Sequence, residues 1–466
     1  MLFSSYTFLF VFLPAVLVLY FLLPLCLPPR RRLAARNAIL LLMSLLFYAW
    51  GEPVYVFLML GTILANFLFG LWMPRCRHRR AALALAVGVN LFLLFFYKYA
   101  GALAALCSLP FPSVRLPLGI SFYTFQALSY VVDVYRGDVA AEKNPATFGT
   151  YVALFPQLVA GPIVRYSDVA GELQARSHTA ARAAAGARRF AAGLCKKVLL
   201  ANSAGALFTG VLKGGNLSFL NTWLALFGFS FQIYFDFSGY SDMALGLGAI
   251  FGFTFPENFN YPYTAVSFTD FWRRWHITLS SFFREYVYIP LGGNRKGAAR
   301  TVLNLFVVWA LTGLWHGAAI NFLLWGIYWF LLLIAEKFVL KKAFAHLPRG
   351  VCRVIALAGI LFGWLIFAFD GSSAALTFTG FRRFLPALFG FSGFAHGNDA
   401  YDFVRHLPFL ALCALGSTPL PRRLARRLFS ARRTAWAEVV LPLAGMVLAV
   451  SYLADAGYNP FLYFRF

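Results

Sequence analysis

LTGLWHG, residues 311–317, lies within an apolar run over residues 302–334 in which His316 is the only side chain that titrates near neutral pH. An ionisable group is costly inside a membrane segment, so a functional role is the default interpretation. The structural alternative is a histidine that hydrogen-bonds a neighbouring helix, and apolar context alone leaves both open. His316 is the first candidate for chemistry.

Just upstream, residues 267–285 predict one amphipathic helix, which Ser267 begins as N-cap with Asp270 completing a capping box. At 100° per residue one stripe holds Phe268, Trp272, Trp275, His276, Leu279, Phe282 and Phe283. The opposite face holds Arg273, Arg274, Thr278, Ser281, Arg284 and Glu285. Such a helix is typical of a membrane interface. His276 is predicted to face its apolar side.

A basic turn, Asn294–Gly297, follows Pro290, Gly292 and Gly293, which end the regular structure. Arg295 in this turn could contact the phosphates of a nucleotide-bearing donor. The alternative is a cytoplasmic anchor, which is the commoner role of basic loops beside membrane segments.

Composition places the chain among polytopic membrane proteins. Of its 466 residues, 61% are hydrophobic and 12% are charged, and the mean hydropathy is +0.70. These values exclude an ordinary soluble domain and predict an all-α integral membrane protein. The net charge of +24 arises from Lys and Arg in short loops between apolar runs. It therefore indicates topology and contact with anionic membrane lipid, and no nucleic acid partner.

The order of apolar runs and basic loops predicts roughly eleven spans with the N-terminus outside the cell. Basic segments at residues 30–36, 75–80, 165–197, 284–300 and 422–433 are predicted to be cytoplasmic. Residues 151–164 contain two prolines and a glycine, which predicts a broken or re-entrant helix. We find no internal repeat, so residues 1–466 are interpreted as one membrane domain. The six cysteines show no metal-ligand spacing.

The hairpin around His316 is predicted to be short. The flanking segments 295–300 and 337–342 are basic and are predicted to be cytoplasmic loops, with Arg349 and Arg353 also marking the cytoplasm. Residues 303–336 must therefore enter the membrane and return, and two full crossings need about 40 residues. Gly313, Gly317 and Asn321 lie near the middle, where a helix break would fall. The pattern predicts a re-entrant turn with His316 deep in the membrane.

Two acids, Asp236 and Asp242, follow the apolar run 223–235. They could bond the amphipathic helix that follows. The alternative is helix capping by Ser238, or by Ser241 and Asp242, and it is somewhat favoured.

The chain resembles the membrane-bound O-acyltransferase superfamily, in the branch associated with alginate O-acetylation. The matching segments are residues 3–10, 119–137, 234–247, 258–263, 271–295, 311–317 and 458–466. The resemblance implies a helical bundle with broken helices around a central cavity. It also implies that His316 is essential for acyl transfer and that His276 is its companion. An extracytoplasmic partner of the SGNH-esterase type is expected to complete delivery to a polysaccharide.

Our hypothesis is an O-acetyltransferase of the inner membrane in which His316 acts as general base on an acceptor hydroxyl that attacks acetyl-CoA. The candidate substrate- or donor-binding residues are Trp275, Arg273, Arg274, Trp315, Asp236, Asp242 and Arg295. No metal and no bound cofactor are expected. The alternatives are a flippase for a glycan or lipid-linked sugar with His316 as proton relay, and a structural scaffold in which histidine substitutions are silent.

Overall fold

The computed structural model describes residues 1–112, 114–159, 161–428, 431–455 and 462. Every regular element in these ranges is helical, which confirms the all-α class. Helices suit apolar segments because each one satisfies its backbone polar groups internally. Some sequence-based assignments fall partly outside the described residues. Of the matching segment 458–466, only Leu462 is described, and the basic segment 422–433 lacks positions 429 and 430.

The chain forms two compact units, Met1–Leu194 with Tyr240–Glu257, and Cys195–Gly239 with Asn258–Phe466. The single-domain organisation stays a prediction. The α-helices that begin in the first unit are α1 (Leu13–Leu22), α2 (Pro29–Gly51), α3 (Tyr55–Trp72), α4 (Arg79–Phe95), α5 (Gly101–Leu106), α6 (Ile120–Arg136), α7 (Pro145–Ala153), α8 (Phe155–Leu158), α9 (Tyr166–Gln174) and α10 (Ala180–Cys195).

The α-helices that begin in the second unit are α11 (Asn202–Gly214), α12 (Phe219–Ile250), α13 (Phe268–Trp272), α14 (Ile277–Phe283), α15 (Gly297–His316), α16 (Ile320–Ala335), α17 (Lys341–His346), α18 (Arg349–Ala368), α19 (Phe378–Leu388), α20 (Asp399–Gly416), α21 (Leu420–Leu428) and α22 (Ala431–Asp455). π-helical turns at Thr7–Phe12, Phe96–Ala100, Lys196–Ala201, Arg284–Tyr288 and Glu336–Leu340 extend or join them. Short 3₁₀ turns lie at Leu23–Cys26, Met73–Arg75, Pro262–Thr264 and Ala374–Leu376.

Seven helical segments in the described ranges are long and apolar enough to cross a membrane, which agrees with the predicted polytopic class. They are Thr7–Cys26, Pro29–Gly51, Tyr55–Arg75, Arg79–Leu106, Gly297–His316, Ile320–His346 and Arg349–Ala368. The total of roughly eleven spans stays a prediction. Residues 151–164 are broken as expected, since α7 ends at Ala153 and α8 covers only Phe155–Leu158; Ala160 lies outside the described residues.

The hairpin of α15 and α16 turns immediately after His316, as predicted, but its arms are longer than expected. The first has 20 residues and the second, which continues through the π turn and α17 to His346, has 27. Each is long enough to span, because the lysines that were assigned to a loop belong to the helix. Gly313 does not break α15. A Cβ there would lie 2.5 Å from the Phe322 carbonyl oxygen, so this glycine permits close packing of α16.

The predicted amphipathic helix over residues 267–285 is two helices. Ser267 caps α13, and its Oγ accepts a bond from the Asp270 N–H at 3.1 Å. The chain then breaks at His276, whose φ of +44° is left-handed. Segment 258–260 causes the break: Asn260 N–H donates to the Arg274 carbonyl at 2.9 Å, and Ile277 N–H donates to the Asn258 carbonyl at 3.0 Å. The predicted apolar stripe is buried nevertheless, together with Thr278, which was assigned to the polar face.

Candidate active site

In the second unit, the two predicted histidines both lie next to the indole ring of Trp315. The ring centroid of Trp315 lies 4.9 Å from that of His316 and 5.9 Å from that of His276. The exposed fractions of the two histidines are 4% and 1%, respectively. The spacing in the sequence gives no reason to expect this proximity, since 39 residues lie between His276 and His316. It follows from the packing of α15 against the 273–276 break.

His316 ends α15 inside an aromatic enclosure. Its ring meets Trp325 edge-on at 5.0 Å and Phe367 edge-on at 5.1 Å. Gly317 allows the Phe322 ring to pack closely just after the helix, because a Cβ at this position would lie 2.7 Å from a carbon of that ring. The enclosure withdraws the imidazole from water, which strengthens any electrostatic interaction it makes with a substrate.

His276 is held by polar contacts as well as by packing. Its Nδ1 lies 3.0 Å from Oδ1 of Asn258, and its ring meets Phe237 edge-on at 4.7 Å. Burial lowers the pKa of His276 to about 3, so the ring is neutral near neutral pH. A non-glycine residue in the left-handed region is uncommon and often marks a functional site.

A cavity of about 1090 Å³ lies beside the histidines in the same unit. Its walls come from α13, α14, α15, the α16–α17 arm and the start of α18. Five basic side chains line it: Arg273, Arg284, Lys337, Lys341 and Arg349. Its one lining carboxylate, Glu336, accepts bonds from the backbone N–H groups of Phe268 at 2.6 Å and Thr269 at 3.2 Å. The cavity is therefore suited to an anionic ligand.

Neither histidine lines this cavity, but its wall approaches both. Thr312, one turn before His316 on α15, and Trp272, four residues before His276, are lining residues. Trp272 and Trp309 stack edge-to-face at 4.6 Å and form an indole wall.

The predicted binding residues separate into different environments. Arg273 is exposed and lines the cavity. Arg274 instead donates from Nε to Asp270 Oδ1 at 2.8 Å and stabilises the helix start. Trp275 packs at 4.6 Å against Trp364 and is not a lining residue of the cavity. Arg295 is exposed in the predicted basic turn and is not a lining residue of the cavity.

Neither of the two acids caps a helix, since α12 runs unbroken past both. Asp236 forms a buried ion pair with Lys197, with Oδ1 and Nζ 2.6 Å apart, and its Oδ2 accepts the Leu462 N–H at 2.7 Å. Asp242 Oδ1 accepts a bond from Arg189 Nε at 3.0 Å in the first unit. The predicted capping is therefore wrong. Each carboxylate binds a cation from a preceding helical segment, and a role of either acid in substrate binding stays a prediction.

Sequence reasoning missed two groups. Lys337, Lys341 and Arg349 were assigned only to topology, and their signal was the excess of basic residues after a span. Asn258 was quoted only as part of a matching segment, although the asparagine-rich motif 258–263 stands just before the histidine helix. In the part of the chain that the structure describes, no group of three His, Cys, Asp or Glu side chains could hold a metal ion.

Comparison with known proteins gives matches over most of the chain. The family model of the membrane-bound O-acyltransferase family matches residues 141–378. The probable alginate O-acetylase AlgI of Pseudomonas aeruginosa is 39% identical over 84% of this chain and 75% of its own length. The corresponding protein of Pseudomonas putida is 36% identical over 100% of both chains. A peptidoglycan O-acetyltransferase of Helicobacter pylori is 34% identical over 81% of this chain and 78% of its own length.

Proposed function

The chain belongs to the membrane-bound O-acyltransferase family, and we propose that it moves an acetyl group from cytosolic acetyl-CoA toward hydroxyl groups of an exported polysaccharide. It is an acyltransferase of a membrane. The observation that carries the proposal is the pair of buried histidines beside a basic cavity. Relatives named as alginate and peptidoglycan O-acetylating enzymes support an O-linked acetyl group and a polysaccharide acceptor.

In the proposed reaction, His316 takes the proton of the attacking hydroxyl. The hydroxyl oxygen forms a bond to the thioester carbonyl carbon, and the carbon–sulfur bond breaks. The thiolate of CoA leaves with the electron pair and takes up a proton, and the ester remains on the acceptor. An imidazole titrates close to the working pH, which suits a general base.

The cavity is proposed as the site of acetyl-CoA. The donor carries several phosphate charges, and the five lining basic side chains can bind them while Trp272 and Trp309 contact the apolar parts. Its volume of about 1090 Å³ is slightly above the usual range of about 300–1,000 Å³ for ligand pockets. Acetyl-CoA is a substrate here and leaves as CoA.

Delivery to the polymer is proposed to need an extracytoplasmic partner of the SGNH-esterase type. The direct test is transfer of labelled acetyl from acetyl-CoA by the purified protein in nanodiscs, with and without that partner and its polysaccharide. We expect labelled polysaccharide only when all components are present. No turnover of acetyl-CoA under any of these conditions would overturn the proposal, and complete polysaccharide acetylation by this chain alone would overturn the requirement for the partner.

A flippase was the alternative from the sequence, and it is not favoured. The matching relatives carry the names of acetyl- and alanyl-transferring enzymes. A flippase would move glycan across the membrane without consuming acetyl-CoA, which the same assay measures.

Neutralising the cavity is expected to weaken donor binding. Replacing Lys341 and Arg349 together by glutamine should raise the KM for acetyl-CoA about 10-fold with little change in kcat, because exposed charge pairs contribute up to about 1 kcal/mol each. The effect should shrink at high ionic strength. Arg382→Gln, at an exposed position of α19 outside the cavity, is the control. Unchanged KM in the double variant would contradict the donor assignment.

Orientation is proposed from the basic segments: an inner membrane location with the N-terminus outside. In a cysteine-free background, Arg80→Cys should react with an impermeant maleimide only after permeabilisation, since basic loops stay in the cytoplasm. The same pattern places residues 370–402 outside, so Phe391→Cys, at an exposed position between α19 and α20, should react in intact cells. The reverse pattern would invert the topology and place the cavity on the wrong side for a cytosolic donor.

A further inference from the structure

Asn258 collects three hydrogen bonds on one side-chain oxygen. Its Oδ1 lies 3.0 Å from His276 Nδ1, and it accepts from Thr278 Oγ1 at 2.9 Å and from the Thr278 backbone N–H at 3.3 Å. Its backbone carbonyl also accepts the Ile277 N–H at 3.0 Å. Asn258 is 1% exposed, so these bonds are made away from water.

The backbone donor decides which end of the amide faces the histidine. An asparagine side chain can be turned to present either its oxygen or its NH₂ group. The Thr278 backbone N–H can only donate, so the atom beside it must be the oxygen. That same oxygen is the atom near Nδ1 of His276. An oxygen without a proton can only accept, and Nδ1 must therefore carry the ring proton.

We propose, on the basis of the acyl transfer above, that Asn258 is a positioning residue that holds His276 as its Nδ1–H tautomer and presents Nε2 as a hydrogen-bond acceptor to a second hydroxyl of the acceptor, not the one whose proton His316 takes. The neutral imidazole has one donor and one acceptor nitrogen. His276 then orients the acceptor by receiving a bond from it and does not donate to the thioester oxygen. The left-handed backbone at His276 is stabilised by the same asparagine, so ring orientation and tautomer are set together.

Two substitutions of Asn258 separate positioning from packing. Asn258→Asp keeps an oxygen that accepts all three bonds, whereas Asn258→Leu fills similar space with no acceptor. Asn258→Leu should lower kcat per folded molecule about 10- to 100-fold, as loss of a ligand-orienting partner does in other sites, with an unchanged KM for acetyl-CoA. Asn258→Asp should keep kcat within about fivefold of the wild type because the acceptor is retained. Equal turnover per folded molecule in both variants would overturn the proposal.

Asn90→Leu is the matched control. Asn90 is also a buried asparagine, paired with Asn66 in the first unit, and its loss should reduce stability without changing turnover per folded molecule. If Asn258→Leu does not fold, ¹⁵N-histidine spectra of the wild type and of His276→Gln give the His276 signal by difference. Protonation at Nδ1 is expected, and protonation at Nε2 would overturn the assignment. A wild-type protein that transfers no acetyl at all would instead contradict the proposed function.

Discussion

Replacing His316 by alanine is expected to reduce acetyl transfer by about 100- to 10,000-fold, the usual cost of removing a general base, while the protein stays folded. His316 is buried among Trp315, Trp325 and Phe367. Truncation removes ring packing, which costs some stability but is not expected to prevent folding. Turnover and the melting temperature in detergent should be measured on the same preparation. Near-normal turnover by folded His316→Ala protein would contradict the role of His316 as general base.

His178→Ala is the matched control for a structural histidine. The Nε2 of His178 lies 2.8 Å from the Tyr20 hydroxyl, and its Nδ1 lies 3.2 Å from Arg36. Burial, followed by the nearby Arg36, lowers the pKa of His178 to about 4. Its loss strands these partners, which typically costs about 1–3 kcal/mol. His178→Ala should therefore lower the melting temperature and keep turnover per folded molecule, the opposite of the His316 result.

His276→Ala should fall between these extremes. If His316 performs the proton transfer and His276 only orients the acceptor, His276→Ala should lower kcat less than His316→Ala does. An equal loss in both variants would mean that the two imidazoles act as one unit, because losses of residues that act together are not additive. The double variant separates these cases.

The sequence predicted which side chains of residues 267–285 are buried. The predicted backbone was wrong where hydrogen bonds from a distant segment determine the conformation. The periodicity of residues 267–285 gave the correct buried side chains, since a helical stripe reports the face that packs. It could not reveal the break at His276, because the bonds that hold the break come from Asn258 and Asn260, well upstream. The turn near His316 was predicted from the basic flanking segments and from Gly313, Gly317 and Asn321, but the sequence did not show which of the three lies at the break.

The partners of charged side chains were harder to predict, because a charge in the sequence does not show which ligand or opposite charge it binds. Lys337 and Lys341 were taken as markers of a cytoplasmic loop, although the π turn after α16 keeps them helical and directs them to the cavity. The cations that bind the two acids of α12 lie 39 and 53 positions earlier in the chain, so the sequence did not indicate these pairs. No local pattern encodes such pairings.

Replacing Asp236 by asparagine is expected to destabilise the protein by about 3–5 kcal/mol, because it leaves the Lys197 ammonium buried without its counter-charge. Both side chains of the pair are 3% exposed. Since a typical protein is stable by only about 5–15 kcal/mol, the expected result is low yield and a large fall in melting temperature. Asparagine keeps a side-chain oxygen for the Leu462 N–H, so the substitution removes the charge and little else.

The rescue experiment decides between a structural and a substrate-binding Asp236. Combining Asp236→Asn with Lys197→Met removes both charges, and replacement of a buried pair by uncharged groups is often neutral or stabilising. The double variant should regain most of the lost stability and should turn over acetyl-CoA with a normal KM and kcat. If Asp236 bound the substrate, as the sequence suggested, the double variant would fold and still transfer acetyl poorly. That outcome would support a substrate-binding role for Asp236, whereas recovery of both stability and turnover would show that its role is structural.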